Sequence, residues 1–272
     1  MKNNIRKPAV AGRFYPSSAL ELTNQIESFL SKKADKTPAI GCMLPHAGYI
    51  YSGRVAVETV SRIDIPDRII IIGPNHTGEG AQFSLQTEGA WLTPFGEIKI
   101  NSEFAKTLLD NSEYLEEDSK AHIYEHSLEV ELPILQYFKK TFEIVPICIL
   151  SDDIEILKKI GVSIANTIRE SGLASSWLIV ASSDMTHYEP QGLAEKKDKE
   201  AIKAIIALDA DRLTEKVSDL NITMCGYAPV SIMLTAAKIL GAKKGELVKY
   251  VTSGDVTLDK TSVVGYAGVI IK

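Results

Sequence analysis

The stretch Ile69-Ile70-Ile71-Ile72-Gly73-Pro74-Asn75-His76 decides the fold. Four β-branched residues in a row leave no polar face, so the run reads as a strand buried on both sides, as in a parallel sheet covered by helices. Gly73 and Pro74 end it, and a histidine follows in a turn bracketed by Gly78. Two other stretches share the layout: Gly41-Cys42-Met43-Leu44-Pro45-His46-Ala47-Gly48-Tyr49 and Leu178-Ile179-Val180-Ala181-Ser182-Ser183-Asp184-Met185-Thr186-His187. A parallel sheet gathers the C-terminal ends of its strands on one edge, and α/β proteins bind ligands in the crevice there. Histidines far apart in sequence are therefore expected to be neighbours in space. Imidazole is the commonest metal ligand and the usual proton shuttle near neutral pH.

Working outward, Ser18-Ala19-Leu20-Glu21 has capping-box spacing, and Leu22, Ile26, Phe29 and Leu30 repeat at helical period. A strand over 40–45 and a helix over 53–62 lead to the isoleucine run. Residues 82–100, with Trp91, Pro94 and Gly96, read as a hairpin or an excursion from the main sheet. Helices are expected over 102–110 and 125–140, then a strand over 144–150 whose Pro146 marks it as an edge or irregular strand. The clearest helix is 153–170: Leu157, Ile160, Ile164 and Ile168 share a face, and Asp152 or Asp153 caps it. A strand over 177–182, helices over 193–208 and 210–218, a helix begun by Pro229 and closed by Gly241, and strands over 247–253 and 262–271 complete the chain. This alternation predicts an α/β fold, one domain over 1–272, with a mostly parallel central sheet flanked by helices.

The 272 residues carry 30 basic and 35 acidic side chains, a net charge of -5 that offers no broad footprint for nucleic acid. No apolar run approaches the roughly 20 residues that span a bilayer, and the basic start Met1-Lys2-Asn3-Asn4-Ile5-Arg6-Lys7-Pro8 lacks the apolar stretch of a secretory signal. A cytoplasmic protein without membrane or nucleic-acid partners is expected. Cys42, Cys148 and Cys225 show no C-x-x-C spacing, which argues against disulfides and zinc ribbons. Cys42 and Cys148 lie inside apolar strands, as small buried hydrophobes do. Cys225 stands apart in the turn-like Met224-Cys225-Gly226-Tyr227-Ala228-Pro229.

His46 stands where Pro45 stops a strand and Gly48 lets the backbone turn. Asn75 and Thr77 flank His76 and can orient its ring through the second nitrogen. Asp184 lies three residues before His187, where a carboxylate would fix the tautomer of an acid-base imidazole. Cys225 can add a thiolate; two imidazoles and one thiolate leave an open coordination position, the layout of a catalytic metal, and sulfur favours copper(I), zinc or iron. His122 and His126 have i, i+4 spacing, expected to put both on one helix face, but residue 123 is isoleucine and the H-E-x-x-H order of zincins is absent. In the same segment Glu125 and Glu129 suit the first turn of a helix. No G-x-S-x-G elbow, phosphate loop or G-x-G-x-x-G is present.

Taken together, Pro8-Ala9-Val10-Ala11-Gly12-Arg13-Phe14-Tyr15-Pro16, Pro45-His46-Ala47-Gly48-Tyr49, Gly73-Pro74-Asn75-His76, Glu125-His126-Ser127-Leu128-Glu129, Ser182-Ser183-Asp184-Met185-Thr186-His187-Tyr188 and Cys225-Gly226-Tyr227 resemble the Memo family, also known as AmmeMemoRadiSam system protein B. The resemblance implies a fold similar to class III extradiol dioxygenases, which hold non-haem iron with two histidines and a glutamate and use a further histidine as acid-base catalyst. Carried over, His46 and His76 match the histidine ligands, Cys225 stands in place of the carboxylate, and His187 matches the acid-base histidine. The cysteine departs from the dioxygenase pattern and changes redox potential and metal preference. The resemblance implies iron or copper binding with oxidative chemistry, phosphopeptide binding in animal relatives, and radical-SAM and AMMECR-type protein partners in the bacterial and archaeal system.

The expectation is thus a pocket in which His46, His76 and Cys225 bind iron or copper, with zinc as a further option. His187, steadied by Asp184, would handle protons, and His126 would sit beside the ligands or face the substrate. The pocket is expected to take a small molecule or peptide; the rival is a non-catalytic module in which it holds a peptide or partner protein, using the aromatics Phe14, Tyr15, Tyr49 and Tyr51.

Overall fold

The isoleucines of the Arg68–Pro74 strand are fully buried: the strand runs between two parallel neighbours, and helices cover the faces to which its side chains point. Glu143–Ile149 pairs along its whole length on one side, and Trp177–Ser182 pairs on the other. This computed structural model describes residues 4–30 and 35–272. Gly41–Leu44 lies parallel to Trp177–Ser182, with Leu44 opposite Ser182. Four parallel strands thus end level with one another. Antiparallel strands Val263–Ile271 and Gly245–Thr252 extend the sheet beyond Gly41–Leu44. On the far side Gly96–Ile100 joins Glu143–Ile149 in parallel, followed by its hairpin partner Ala90–Thr93 and then by Ile5–Arg6. Helices Ile154–Glu170 and Tyr227–Ile239 pack on one face; Tyr49–Val60, Ala19–Phe29 and Glu131–Phe138 pack on the other. The α/β class with a central sheet flanked by helices is as the sequence predicts. No helix of the described residues is long and apolar enough to cross a membrane.

Pro146 does not mark an edge strand: Glu143–Ile149 lies inside the sheet. Its outer side has two partners in succession, Gly96–Ile100 up to Ile144 and Phe83–Leu85 from Ile147 onward. The carbonyls of Ile144 and Pro146 accept from Asn101 and Gln86 on that side. The missing N–H of Pro146 therefore falls on the seam between the two partners and orphans no acceptor.

Several boundaries shift for local reasons. The expected helix over 125–140 is Glu131–Phe138, preceded by the single turn Lys120–Ile123. Pro133 has no N–H for the carbonyl of residue 129, so it fits only the first helical turn. His122 and His126 consequently do not share a helix face. Ser18 sits at the N-cap but makes no side-chain cap bond, whereas Asp153 accepts from Glu155 and Ile156 N–H. The helix expected to begin at Pro229 begins at Tyr227, and the one expected over 53–62 is Tyr49–Val60.

Candidate metal centre

His46 follows Gly41–Leu44, His76 follows Arg68–Pro74, and Asp184 and His187 follow Trp177–Ser182. Because these strands are adjacent, their exits converge on one edge. The fourth contributor is the loop before Glu131–Phe138, which carries His126. His46, His76 and His126 offer ring nitrogens that all lie within 4.8 Å of one another. Their ring centroids are 4.7 to 5.5 Å apart. A tetrahedral ion at ~2.1 Å from its nitrogen ligands spaces them about 3.4 Å apart, so adjustments of the order of an ångström would close these rings on one ion. The donor set, three imidazoles, suits zinc, copper or iron.

Each ring is oriented from behind. His46 is buried; its Nδ1 lies 2.8 Å from Ser182 Oγ, and its backbone N–H donates to Asp184 Oδ1 at 2.8 Å. His76 Nδ1 lies 2.9 Å from Glu125 Oε1, and His126 Nδ1 lies 3.4 Å from the same oxygen. Glu125 also accepts from the N–H groups of His76 and Ser127. Burial works to raise its carboxyl, but these hydrogen bonds and the imidazole charges outweigh it and hold the group down to about 2. An ionised carboxylate behind a histidine fixes its tautomer and raises its basicity as a metal ligand. Burial holds His46 and His126 below the ordinary histidine range, the neighbouring imidazoles adding to it, so both are neutral and ready to coordinate.

Asn75 and Thr77 do not orient His76. They build its turn, Asn75 Oδ1 accepting from Thr77 N–H, Thr77 Oγ1 and Gly78 N–H. The orienting group is Glu125, which sequence reasoning assigned to a helix start. Its adjacency to His126, ahead of a proline-limited helix, was the available signal.

Cys225 Sγ lies 3.3 Å from His46 Nε2 and accepts from Asp184 N–H at 3.3 Å, but it does not belong to the three-imidazole group. Burial, with the Asp184 charge, pushes its thiol well above the usual range, so without a metal it is protonated. The thiol therefore abuts the His46 ring nitrogen that is not tied to Ser182. Gly226 makes this placement work: a Cβ there would lie 2.2 Å from the Ser182 carbonyl oxygen. His187 lines the same cavity, about 460 Å³ in volume, with Arg13, Phe14, Tyr51, Tyr188 and Tyr266 among its other walls. Thr223, not Asp184, steadies His187: Nδ1 is 2.8 Å from the Thr223 carbonyl oxygen, and Thr223 Oγ1 accepts its backbone N–H. Asp184 instead ties the His46 loop, and burial raises its carboxyl to about 6 against the pull of the His46 N–H. Of the four aromatics, Phe14 meets His126 edge-on at 4.9 Å and Tyr51 lines the cavity, whereas Tyr15 and Tyr49 are buried.

His122 lies elsewhere. It is buried, with Nε2 3.0 Å from Ser84 Oγ and Nδ1 3.5 Å from Cys148 Sγ. Burial, helped by Arg6, holds it down to about 3. Glu129, also read as a first-turn residue, is instead a buried clamp. It accepts from Arg6, the Ala9 and Val10 N–H groups and the Tyr15 hydroxyl, fixing the segment that carries Phe14 against the His126 loop.

The Memo-like protein family profile matches residues 6–270. A MEMO1 family protein of Methanocaldococcus jannaschii is 43% identical, covering 99% of this chain and 100% of its own. One from Aquifex aeolicus is 43% identical, covering 98% of each chain. An uncharacterised Escherichia coli K12 protein of known structure shares the fold at a TM-score of 0.59 and 13% identity, covering 85% of this chain and 99% of that one. By its matched profile and its full-length relatives, this chain belongs to the Memo-like protein family.

Proposed function

We propose that the protein holds one transition-metal ion, iron or copper, at His46, His76 and His126, with Cys225 beside it, and uses it in redox chemistry on a small molecule or peptide. The observation that carries this reading is the group of three imidazole donors within 4.8 Å, one ring anchored by Ser182 and two facing the buried Glu125 carboxylate. The ion would supply Lewis acidity and an electron-transfer centre. His187, held by Thr223 on the cavity wall, is the group that takes up or gives a proton at the substrate. Phe14, Tyr51 and Tyr266 give the substrate an apolar wall and limit water. Zinc is the metal for a hydrolytic variant of the same site.

Untagged protein is expected to purify with a stoichiometric metal, and the His46→Ala, His76→Ala double variant without it. Equal metal content in the two would end the proposal. Oxygen uptake by iron- or copper-loaded protein, with catechols and with reductants, then tests the redox part. The aromatic wall also fits the rival reading of a binding module. Metal retention with no turnover at any loading would favour it.

A further inference from the structure

Behind His46 lies a carboxyl group that the reading above does not use. Glu131 is fully buried. Its Oε1 is 3.1 Å from Ser182 Oγ, and its Oε2 has no hydrogen-bond partner among the described residues. Ser182 Oγ has two further neighbours, His46 Nδ1 at 2.8 Å and the Ser127 carbonyl oxygen at 2.7 Å. A hydroxyl has one proton and two lone pairs. The Ser127 carbonyl can only accept, so it takes the Ser182 proton. The two lone pairs then face His46 Nδ1 and Glu131 Oε1, and each must meet a donor. That is satisfied when Nδ1 carries its proton and Glu131 is a carboxylic acid.

The surroundings agree. An ionised Glu131 would be a buried carboxylate with no cation, since no ion pair involving it occurs among the described residues and Arg6 is committed to Glu129. The titratable groups that face it are Asp184, Cys42 and Tyr49. Asp184 opposes a second negative charge, and Cys42 and Tyr49 are themselves held in their neutral forms by burial.

We infer that Glu131 is a positioning residue for the metal centre: a neutral carboxylic acid that donates to Ser182 and pins the hydroxyl among three partners, its proton on the Ser127 carbonyl and its other lone pair on His46 Nδ1–H, so that His46 Nε2 faces the ion. The role in metal binding rests on the function proposed above; the tautomer it helps to hold does not. Glutamine can make the same donation through its amide, whereas leucine, of similar volume, cannot.

The experiment compares wild type, Glu131→Gln and Glu131→Leu. Nitrogen-15 NMR of the metal-free proteins reads the His46 tautomer, and competition with a chromophoric chelator reads zinc(II) affinity. Wild type and Glu131→Gln are expected to show the Nδ1–H tautomer and zinc affinities within about threefold, while Glu131→Leu, whose unpinned Ser182 hydroxyl is free to swing its proton from the Ser127 carbonyl to His46 Nδ1, shows mixed tautomers and a loss of about 10- to 100-fold, the usual cost of removing a group behind a metal ligand. Glu131→Gln falling as far as Glu131→Leu would mean that a carboxylate charge is needed and would overturn the inference. So would an unchanged tautomer and affinity in Glu131→Leu. If wild type binds no zinc, the metal reading fails while the tautomer comparison still decides the role of Glu131. If the leucine variant does not fold, infrared spectra of protein labelled with carbon-13 at glutamate decide it: the protonated-carboxyl C=O band must be present in wild type and absent in Glu131→Gln. Its absence from wild type overturns the inference.

Discussion

Glu125 serves two imidazoles with one oxygen, so its loss disturbs two members of the candidate site at once. Glu125→Gln keeps the shape but gives up the charge, and metal affinity is expected to fall about 10- to 100-fold in a chelator competition. His122 makes a separate prediction about stability. The unfolded chain binds a proton at this residue below the ordinary histidine value near 6.5, whereas the folded chain does not until about pH 3. The unfolded state therefore holds more protons between those limits. The contribution of His122 to stability is fully present above that upper limit and is lost as pH falls through the window, by about 2 kcal/mol at pH 5. Urea midpoints at pH 7 and pH 5 should separate more for wild type than for His122→Gln; equal separations would refute the assignment. At this scale the sequence displayed His46, His76, His187 and Cys225, because each stands at the end of an apolar run or beside a turn. It hid Ser182 and Glu131, whose roles arise only from cross-strand and cross-loop neighbours.

Among the elements, the 125–140 segment is where local pattern misled most. Its apolar spacing is helical, but Pro133 limits the helix and the side chains of Glu125 and Glu129 turn inward to donors from distant parts of the chain, the N–H groups of His76 and Val10 among them. A helix would have pointed those carboxylates elsewhere, so the tertiary bonds and the backbone choice support each other. The Tyr227–Ile239 helix gives the converse case. Its N-cap Gly226 donates to Ser183 Oγ and lies against the Ser182 carbonyl, which delivers Cys225 to His46. Because that neighbour is backbone, Gly226→Ala is expected to cost about 1–3 kcal/mol as an overpacked contact, seen as a lower denaturation midpoint. Metal affinity should fall with it as the Ser182 strand end, which holds His46 Nδ1, is displaced. Full stability in Gly226→Ala would show that the strand end yields more easily than its pairing implies.

The whole molecule follows the rule that the sequence announced: parallel strands end level, and chemistry collects beyond their C-terminal edge. Fold class and strand positions were legible because buried strands and amphipathic helices carry strong periodicity. Strand order was not, since neighbours such as Gly41–Leu44 and Trp177–Ser182 lie more than a hundred residues apart and nothing local encodes their pairing. If the centre binds metal, occupancy must stabilise the whole fold. Free ion at a hundred times its dissociation constant adds about 2.7 kcal/mol, which a thermal melt reads as a raised midpoint in wild type and no shift in the His46→Ala, His76→Ala double variant. A rise of equal size in both would place the ion elsewhere. The Arg6–Glu129 clamp also bears on how the chain is made. Its partners are 123 residues apart, so the segment bearing Phe14, synthesised early and met by the Tyr49 N–H at the Phe14 carbonyl, lacks its carboxylate anchor until Glu129 has left the ribosome. The Phe14 wall of the cavity therefore cannot be clamped before the middle of the chain is made, and the walls built from His187 and Tyr266 follow later still.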